Sequence, residues 1–262
     1  MLIELDLSSA RPSNVVTAIS KNGGAFEPEI VTVVCAFCEA EPVPVFIDVG
    51  SNIGVYPLIA ASLAARLGKT IDVHAFEPLP ALQDKARRLA ADNGVAYVLH
   101  EEAVSDRAGT ADFYVSARSD ASNSLVAGFR PAREVLEVGV TTLDHQSGLV
   151  TREDAQVLLL VDVETHEPAV LEGARGFIAR HQPLIICEVL AGRTEAALNA
   201  IVASLGYTPY RFDGERWSRE AEIFGDRSHT HRDWIFAPPA RAARMGAAWT
   251  CEARAAVRFA IG

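Results

Sequence analysis

The stretch Val45-Phe46-Ile47-Asp48-Val49-Gly50-Ser51-Asn52-Ile53-Gly54 decides the fold of this chain. Its first half is an apolar run rich in β-branched residues, which is typical of a parallel strand buried on both faces. Its second half is a glycine turn that leads into a helical pattern over Val55–Leu67. A strand, a glycine turn and a helix together predict a nucleotide-type pocket at the carboxyl end of the strand.

The turn has the pattern D-x-G-x-x-x-G, formed by Asp48, Gly50 and Gly54. Glycine permits a sharp turn and the close approach of a ligand to the backbone. We expect free N–H groups at the helix start to face one crevice together with the Asp48 carboxylate. A dinucleotide fingerprint has glycine where this chain has Asn52. The turn therefore favours S-adenosylmethionine, which has no phosphate and a cationic amino acid end, although doubly wound domains in general carry glycine turns here.

The composition limits the class of protein. The chain has 262 residues, of which 49% are hydrophobic, and this size suits one α/β domain with additions at both ends. A net charge of −10 argues against nucleic acid as a partner. No apolar run approaches the roughly 20 residues that span a bilayer, and Met1-Leu2-Ile3-Glu4 does not resemble a secretion signal. We predict a cytoplasmic protein without a membrane partner.

Two cysteines, Cys35 and Cys38, form a C-x-x-C motif of the kind found in redox and zinc sites. A zinc site would need a second ligand pair at matching spacing, and the sequence has none. The helical pattern over Pro28–Ala40 places both thiols on one face with apolar residues. We therefore predict buried, reduced cysteines.

The predicted second strand, Ile71–Glu77, ends in an acid. A carboxylate at this strand tip can accept hydrogen bonds from both ribose hydroxyls of an adenosine ligand. The alternative is that Glu77 is a solvated acid at the start of the helix predicted over Ala81–Asn93, where it would favour the helix dipole.

Two polar stretches follow the third predicted strand, Ala96–His100. Glu102 and Ala103 come directly after it, and we expect them beside the adenine, with a solvated turn as the alternative. The loop Ser116–Leu136 is longer than is usual in a compact domain, so it is either a substrate-facing lid or a surface excursion. It separates short strands predicted over Thr110–Val115 and Glu137–Thr142.

The apolar run Val157–Val161 predicts a central strand, and the first polar residue after this run is Asp162. Alternation along an extended chain puts Asp162 and Glu164 on one face. With His166 and Glu167, four ionisable groups lie within six residues, which is costly unless they do chemistry. We predict that Asp162 and His166 act on the acceptor, with Glu164 as a further candidate. Glu167 also suits the first turn of a helix predicted over Ala169–Arg180.

The next predicted strand, Leu184–Val189, brings Glu188 to the same sheet edge. Asp162 and Glu188 at adjacent strand tips could share a divalent cation or polarise a hydroxyl. We therefore add Glu188 to the candidate catalytic residues and leave the presence of a metal open.

These motifs resemble those of FkbM-type methyltransferases, over about Val45 to Ala237. The resemblance implies an α/β fold of the Rossmann-like class I methyltransferase type, with a seven-stranded mixed sheet flanked by helices. It implies S-adenosylmethionine as donor and O-methylation of a small-molecule acceptor, a sugar or a natural product. The motifs, in order, are Asp48–Gly54, Phe76-Glu77-Pro78, Ala103–Asp106, Thr142-Leu143-Asp144, Asp162–Glu167 and Leu184–Val189.

The sequence and the resemblance together give a domain organisation and a set of sites. Residues 1–44 form an N-terminal cap with one helix, residues 45–239 the methyltransferase domain, and residues 240–262 a helical tail of the same domain. A homo-oligomer is left open. The predicted cofactor-binding residues are Asp48, Gly50, Ser51, Asn52, Gly54, Glu77, Glu102 and Ala103, and the catalytic ones are Asp162, Glu164, His166 and Glu188.

Two positions depart from the family's pattern. Leu160 stands where the family usually has lysine, and Thr165 stands where it usually has glycine. A non-catalytic adenosyl-binding or scaffold protein that retains the fold is therefore an alternative. A nucleotide-dependent oxidoreductase is a third reading, which Asn52 in the glycine turn disfavours.

Overall fold

The structure is a computed structural model that describes residues 2–213, 216–228, 230–242 and 256–261. Among its described helices, none has the length and apolar character needed to cross a membrane. The helices are α1 (Asn14–Lys21), α2 (Pro28–Ala40), α3 (Val55–Leu67), α4 (Pro80–Asp92), α5 (Glu167–Glu172), α6 (Arg175–His181) and α7 (Glu195–Ser204). The strands are β1 (Leu2–Asp6), β2 (Pro44–Val49), β3 (Asp72–Phe76), β4 (Val98–His100), β5 (Ala103–Val104), β6 (Gly109–Ser116), β7 (Ala132–Thr141), β8 (Gln156–Val161), β9 (Leu184–Glu188), β10 (Thr208–Phe212), β11 (Trp217–Arg219), β12 (Asp233–Ala237) and β13 (Ala256–Ala260).

The central sheet has the strand order β11-β10-β12-β9-β8-β2-β3-β4. The five neighbouring strands β9, β8, β2, β3 and β4 are parallel to one another. On the other side of β9 the pairing is antiparallel: β12 pairs with β9, β10 with β12, and β11 with β10. The predicted mixed sheet of an α/β fold is confirmed. The predicted count of seven strands is wrong, because β11 extends the β10 edge to make eight.

Helices cover both faces of this sheet, and the alternation of side chains along β2 explains why. Phe46 packs into the core that includes α2, α3 and α4, while Ile47 packs into the opposite core with α5, α6 and α7. Every residue of β2 is buried, as the apolar run predicts.

The three strands that follow β4 in the sequence form a smaller sheet with the order β5-β7-β6. Here the predicted strand Glu137–Thr142 is too short, because β7 already begins at Ala132. Residues 132–135 are exposed, so the sequence there lacks the alternation that identifies a half-buried strand. The loop left between β6 and β7 is residues 117–131.

The helix predicted over Ala169–Arg180 is in fact two helices, α5 and α6, which are separated at Gly173. A Cβ atom on Gly173 would lie 2.0 Å from the carbonyl oxygen of Ser105. The break thus allows close contact between this segment and the chain that follows β5. Nothing local in the sequence signals that contact.

The N-terminal cap contains two helices, α1 and α2, instead of the one predicted. Its first strand, β1, pairs in parallel with β13 from the other end of the chain, and Ile3, Leu5 and Phe259 are buried there. The predicted helical tail is therefore wrong for Ala256–Ala260, while residues 243–255 lie outside the described part of the chain.

The cysteines of the C-x-x-C motif are buried and reduced, as predicted. Burial raises the pKa of Cys35 to about 12, and it also raises the pKa of Cys38. Both thiols therefore stay protonated at neutral pH, which makes them poor nucleophiles and poor metal ligands.

Candidate functional site

The carboxyl ends of β2, β3, β8 and β9 open into one cavity, roofed by the N-terminal cap and by the loop 117–131. It encloses about 1060 Å³ of empty space including its open mouth. We call this cavity the crevice.

The glycine turn after β2 forms the floor of the crevice. The backbone of Gly50 has a φ of +91°, and a Cβ atom there would lie 1.9 Å from the carbonyl oxygen of Asp162. Gly54 has a φ of +78°, and its Cβ would lie 2.2 Å from the hydroxyl of Tyr97. Gly50 therefore requires glycine for both the backbone angle and the space, because the atom that it would meet belongs to the backbone, whereas the backbone angle is the main constraint at Gly54.

The N–H groups of the turn itself, residues 50–54, are not free, so free N–H groups remain a prediction only for the helix start at Val55. Those of Gly50 and Ser51 donate to the carbonyl of Phe76, at 3.1 and 3.0 Å, and that of Asn52 donates to Glu77 Oε2 at 3.1 Å. The two following N–H groups also bond within the turn. A phosphate would find no free backbone N–H group between residues 50 and 54, because the strand ends and the turn bond one another.

Asp48 lies at the bottom of the crevice. Its side chain is fully buried, and neither carboxylate oxygen has a hydrogen-bond partner among the described residues. Burial raises the pKa of Asp48 well above its ordinary value, and the negative charges of Asp162 and Glu77 raise it further. An unpartnered buried carboxylate is costly unless a ligand supplies a positive charge or hydrogen-bond donors.

Glu77, at the end of β3, is 5% exposed and lines the same crevice, so it is not the solvated acid of the alternative reading. Its carboxylate accepts hydrogen bonds from the N–H groups of Asn52 and Leu79, the latter at 2.9 Å. Burial raises its pKa to about 8, and these two bonds oppose the rise. Each oxygen keeps lone-pair capacity for a ligand hydroxyl.

The two residues expected beside an adenine separate in the structure. Ala103 lines the crevice, whereas Glu102 does not. The Glu102 carboxylate instead accepts a hydrogen bond from Gln146 Nε2 at 3.3 Å. Only Ala103 of this pair is placed to contact a ligand in the crevice.

An acid cluster occupies the part of the crevice at the ends of β8 and β9. Asp162, Glu164 and Glu188 each offer a carboxylate oxygen, and these oxygens lie within 4.8 Å of one another. Burial raises the pKa of Glu164 to about 8 and that of Glu188 well above its ordinary value, and the charge of Asp162 adds to both shifts. The ends of β8 and β9 thus bring together the three carboxylates that we selected from the sequence as candidate catalytic residues.

Three residues of this region were missed from the sequence. Arg232 forms an ion pair with Glu188 and lies 3.6 Å from Glu27, whose carboxylate is hydrogen-bonded to the Tyr56 hydroxyl. Arg232 directly precedes β12, and since β12 is antiparallel to β9, its start lies beside the carboxyl end of β9. The place of Arg232 just before the predicted strand Asp233–Ala237 could therefore have predicted that it lies near Glu188. Glu27, in the cap, had no such signal.

His166 lines the crevice and is held by a chain of hydrogen bonds. Its Nε2 lies 2.8 Å from the hydroxyl of Ser105, and that hydroxyl lies 3.1 Å from Asp106 Oδ1. A serine hydroxyl has one proton, and an ionised carboxylate can only accept, so the proton points to Asp106. The Nε2 of His166 must then donate, which assigns the lone pair of the neutral ring to Nδ1. Burial lowers the pKa of His166 and favours this neutral form.

The turn after Asp162 is held by Glu167, which is fully buried and does not line the crevice. Its Oε1 accepts hydrogen bonds from the N–H groups of Val163 and Thr165, at 3.3 and 3.0 Å. Glu164 and Thr165 both have positive φ, at 55° and 81°. Thr165 therefore occupies a position that favours glycine. The Glu167 carboxylate stabilises the turn that contains Thr165.

The loop 117–131 lies against the crevice. Asn52 Nδ2 donates to the carbonyl of Asp120 at 2.6 Å, and Ser124 Oγ donates to the carbonyl of Glu164 at 2.8 Å. Ala121 and Leu125 line the crevice between these two contacts. The loop is thus fixed to the glycine turn on one side and to the acid cluster on the other.

Comparisons with known proteins give the following similarities. None of the curated proteins matches this chain. A solved methyltransferase FkbM from Methylobacillus flagellatus KT is 14% identical, with a TM-score of 0.47 and a match over 84% of this chain and 60% of that chain. Our chain thus spans about three fifths of that protein. Precorrin-6y C5,15-methyltransferase from Geobacter metallireducens GS-15 is 13% identical, with a TM-score of 0.45, over 80% of this chain and 87% of that one.

The sequence match to a family is more direct. Residues 48–212 match the methyltransferase FkbM domain. This range begins at the buried Asp48, includes the glycine turn, Glu77, His166 and the acid cluster, and makes up more than half of the chain. The chain therefore belongs to the FkbM methyltransferase family.

Proposed function

We propose that the protein is an S-adenosylmethionine-dependent O-methyltransferase that acts on a hydroxyl of a small molecule, a sugar or another natural product. The buried Asp48 carboxylate, without a partner and next to a turn whose two glycines approach neighbouring atoms closely, carries this proposal. The donor's amino acid end offers the positive charge that this carboxylate lacks. The donor also has no phosphate, which suits a turn whose N–H groups are all bonded.

The residues of the crevice fit the parts of this cofactor. Asp48 and the turn from Gly50 to Gly54 would hold the methionine end, Glu77 the ribose hydroxyls, and Ala103 the adenine. S-adenosylmethionine supplies a methyl group on a cationic sulfur, which is already strongly electrophilic. The chain's own residues must therefore mainly bind and align the acceptor, and alignment can contribute about 7–11 kcal/mol to lowering the barrier.

The acceptor hydroxyl must also lose its proton as the new bond forms. His166 Nδ1 carries the free lone pair of the ring, so it is the atom to which we assign this proton. Ser105 and Asp106 act as positioning residues, since they fix the ring and its tautomer through Nε2. Asp162 would orient the acceptor hydroxyl from the end of β8.

His166→Ala is expected to lower turnover by about 10²–10⁴-fold, the usual contribution of general base catalysis, while leaving cofactor affinity intact. The measurement is methyl transfer with a hydroxylated acceptor found by screening, together with calorimetric titration of S-adenosylhomocysteine. His181→Ala, on α6 and outside the crevice, is the matched control. Unchanged turnover in His166→Ala would show that another group takes the proton.

Wild-type protein is expected to bind S-adenosylhomocysteine in calorimetric titration, and Glu77→Ala to bind it at least about tenfold more weakly, because hydrogen bonds to a charged group contribute about 1.5–3 kcal/mol. Glu77 also holds the N–H groups of Asn52 and Leu79, so the unfolding of each variant is measured in parallel. Glu102→Ala is the control, since that side chain lies outside the crevice. Absence of binding to the wild type would contradict the proposal.

The same measurements separate the alternatives. A non-catalytic adenosyl-binding or scaffold protein would bind S-adenosylhomocysteine but methylate no acceptor. A nucleotide-dependent oxidoreductase would bind a nicotinamide cofactor instead, and the lack of free N–H donors in the glycine turn disfavours its pyrophosphate.

A further inference from the structure

Glu188 is the part of the acid cluster that the proposed methyl transfer leaves unexplained. It is 2% exposed, and its Oε1 is paired with Arg232. Its other oxygen, Oε2, is buried and has no hydrogen-bond partner among the described residues. A buried carboxylate oxygen in this condition is costly, and it belongs to a cluster with two more acids, Asp162 and Glu164.

The charges around Glu188 do not balance. Arg232 contacts Glu188 and Glu27, while Asp162 and Glu164 have no ion pair among the described residues. Arg232 in direct contact and Arg130 at longer range thus stand against four acids, Glu27, Asp162, Glu164 and Glu188, which leaves room for more positive charge.

The spacing of the cluster matches a particular kind of positive charge. Two oxygens on opposite sides of a metal ion lie twice the metal–oxygen distance apart, which is about 4–5 Å for Mg²⁺ and Ca²⁺. The oxygens of Asp162, Glu164 and Glu188 lie within 4.8 Å of one another. Carboxylate oxygens from three separate positions, open to a crevice, are the ligands that such hard cations prefer.

We propose that Asp162, Glu164 and Glu188 bind one hard divalent cation of the Mg²⁺ or Ca²⁺ class, with Glu188 Oε2 as a ligand. The crevice leaves the remaining coordination positions open to water or to an acceptor oxygen. A cation here would polarise an acceptor hydroxyl and favour loss of its proton. This role rests on the proposed function, whereas binding of the cation does not.

Titration with Mn²⁺, followed by electron paramagnetic resonance of the free ion, tests the site without any turnover. Wild-type protein is expected to remove about one equivalent of Mn²⁺ from solution, and excess Mg²⁺ or Ca²⁺ to release it. Glu188→Gln and Glu164→Gln are each expected to weaken Mn²⁺ binding at least about tenfold, because each replaces a charged ligand by a neutral one. Glu164→Gln leaves the Arg232 ion pair intact, so it keeps the test valid if Glu188→Gln folds poorly.

Glu153→Gln is the matched control. Glu153 is an exposed acid just before β8, at the opposite end of that strand from Asp162. This variant is expected to bind Mn²⁺ as the wild type does. Absence of Mn²⁺ binding to the wild type, or equal binding by wild type, Glu188→Gln and Glu164→Gln, would overturn the cation site. If S-adenosylhomocysteine still binds in that case, the cofactor assignment stands and only the cation is lost.

Discussion

Gly50→Ala is expected to abolish measurable S-adenosylhomocysteine binding and to lower the free energy of unfolding by more than about 3 kcal/mol, an exceptional loss for one methyl group. The left-handed backbone alone costs a non-glycine residue about 1–2 kcal/mol. The new Cβ would also lie 1.9 Å from the carbonyl oxygen of Asp162, so the backbone at the tip of β8 must move. Denaturant unfolding and calorimetric titration measure the two effects.

Gly68→Ala is the matched control for this prediction. Gly68 ends α3 with a φ of +61°, and a Cβ there meets no atom within 4 Å. This variant carries the same kind of backbone penalty without the collision, so we expect a loss of about 1–2 kcal/mol and unchanged cofactor affinity. Equal losses in the two variants would mean that the contact between Gly50 and Asp162 has no special role.

Asp48→Asn is expected to change stability and binding in opposite directions. The substitution keeps the size of the side chain and removes a buried acid that has no partner, so the unfolding free energy at pH 7 should rise by about 1–3 kcal/mol. The affinity for S-adenosylhomocysteine should fall by at least about tenfold, because a charge-assisted contact contributes about 1.5–3 kcal/mol. Such opposition is common where a site is built for a ligand at the expense of stability.

The stability gain of Asp48→Asn should depend on pH. Burial, together with Asp162, Glu77 and Glu27, raises the pKa of Asp48 in the folded protein, whereas the unfolded chain releases this proton near pH 3.8. Above pH 3.8 the folded state therefore binds more protons at this site, and wild-type stability falls as pH rises toward the folded pKa. The difference between the unfolding free energies of variant and wild type should be larger at pH 7 than at pH 5. A difference that shrinks with pH would mean that Asp48 is ionised and compensated in the free protein.

The elements predicted correctly are those that one stretch of sequence specifies alone. The bounds of α2 and α3 agree with the patterns over Pro28–Ala40 and Val55–Leu67, because each helix has its own apolar periodicity and a proline or glycine start. The grouping of Asp48, Glu77, Asp162 and Glu188 follows from a general rule, since carboxyl ends of adjacent parallel strands meet at one edge.

The remainder depends on contacts between distant segments. At the break between α5 and α6, Gly173 lies close to the carbonyl group of Ser105, a residue distant in sequence. Glu27 lines the crevice because the cap packs against it. The N–H groups of the glycine turn are occupied by Phe76 and Glu77, which belong to the neighbouring strand and its tip. No local pattern in the sequence contains these partners.

The pairing of β1 with β13 has a consequence for the order of events during biosynthesis. About 250 residues separate these two strands, so their contact closes a long loop and cannot form before β13 has been synthesised. Phe259 of β13 also packs against Phe26, which lines the crevice beside Glu27. The position of β1, and with it the packing around Phe26 at the crevice, thus depends on a strand that is synthesised much later.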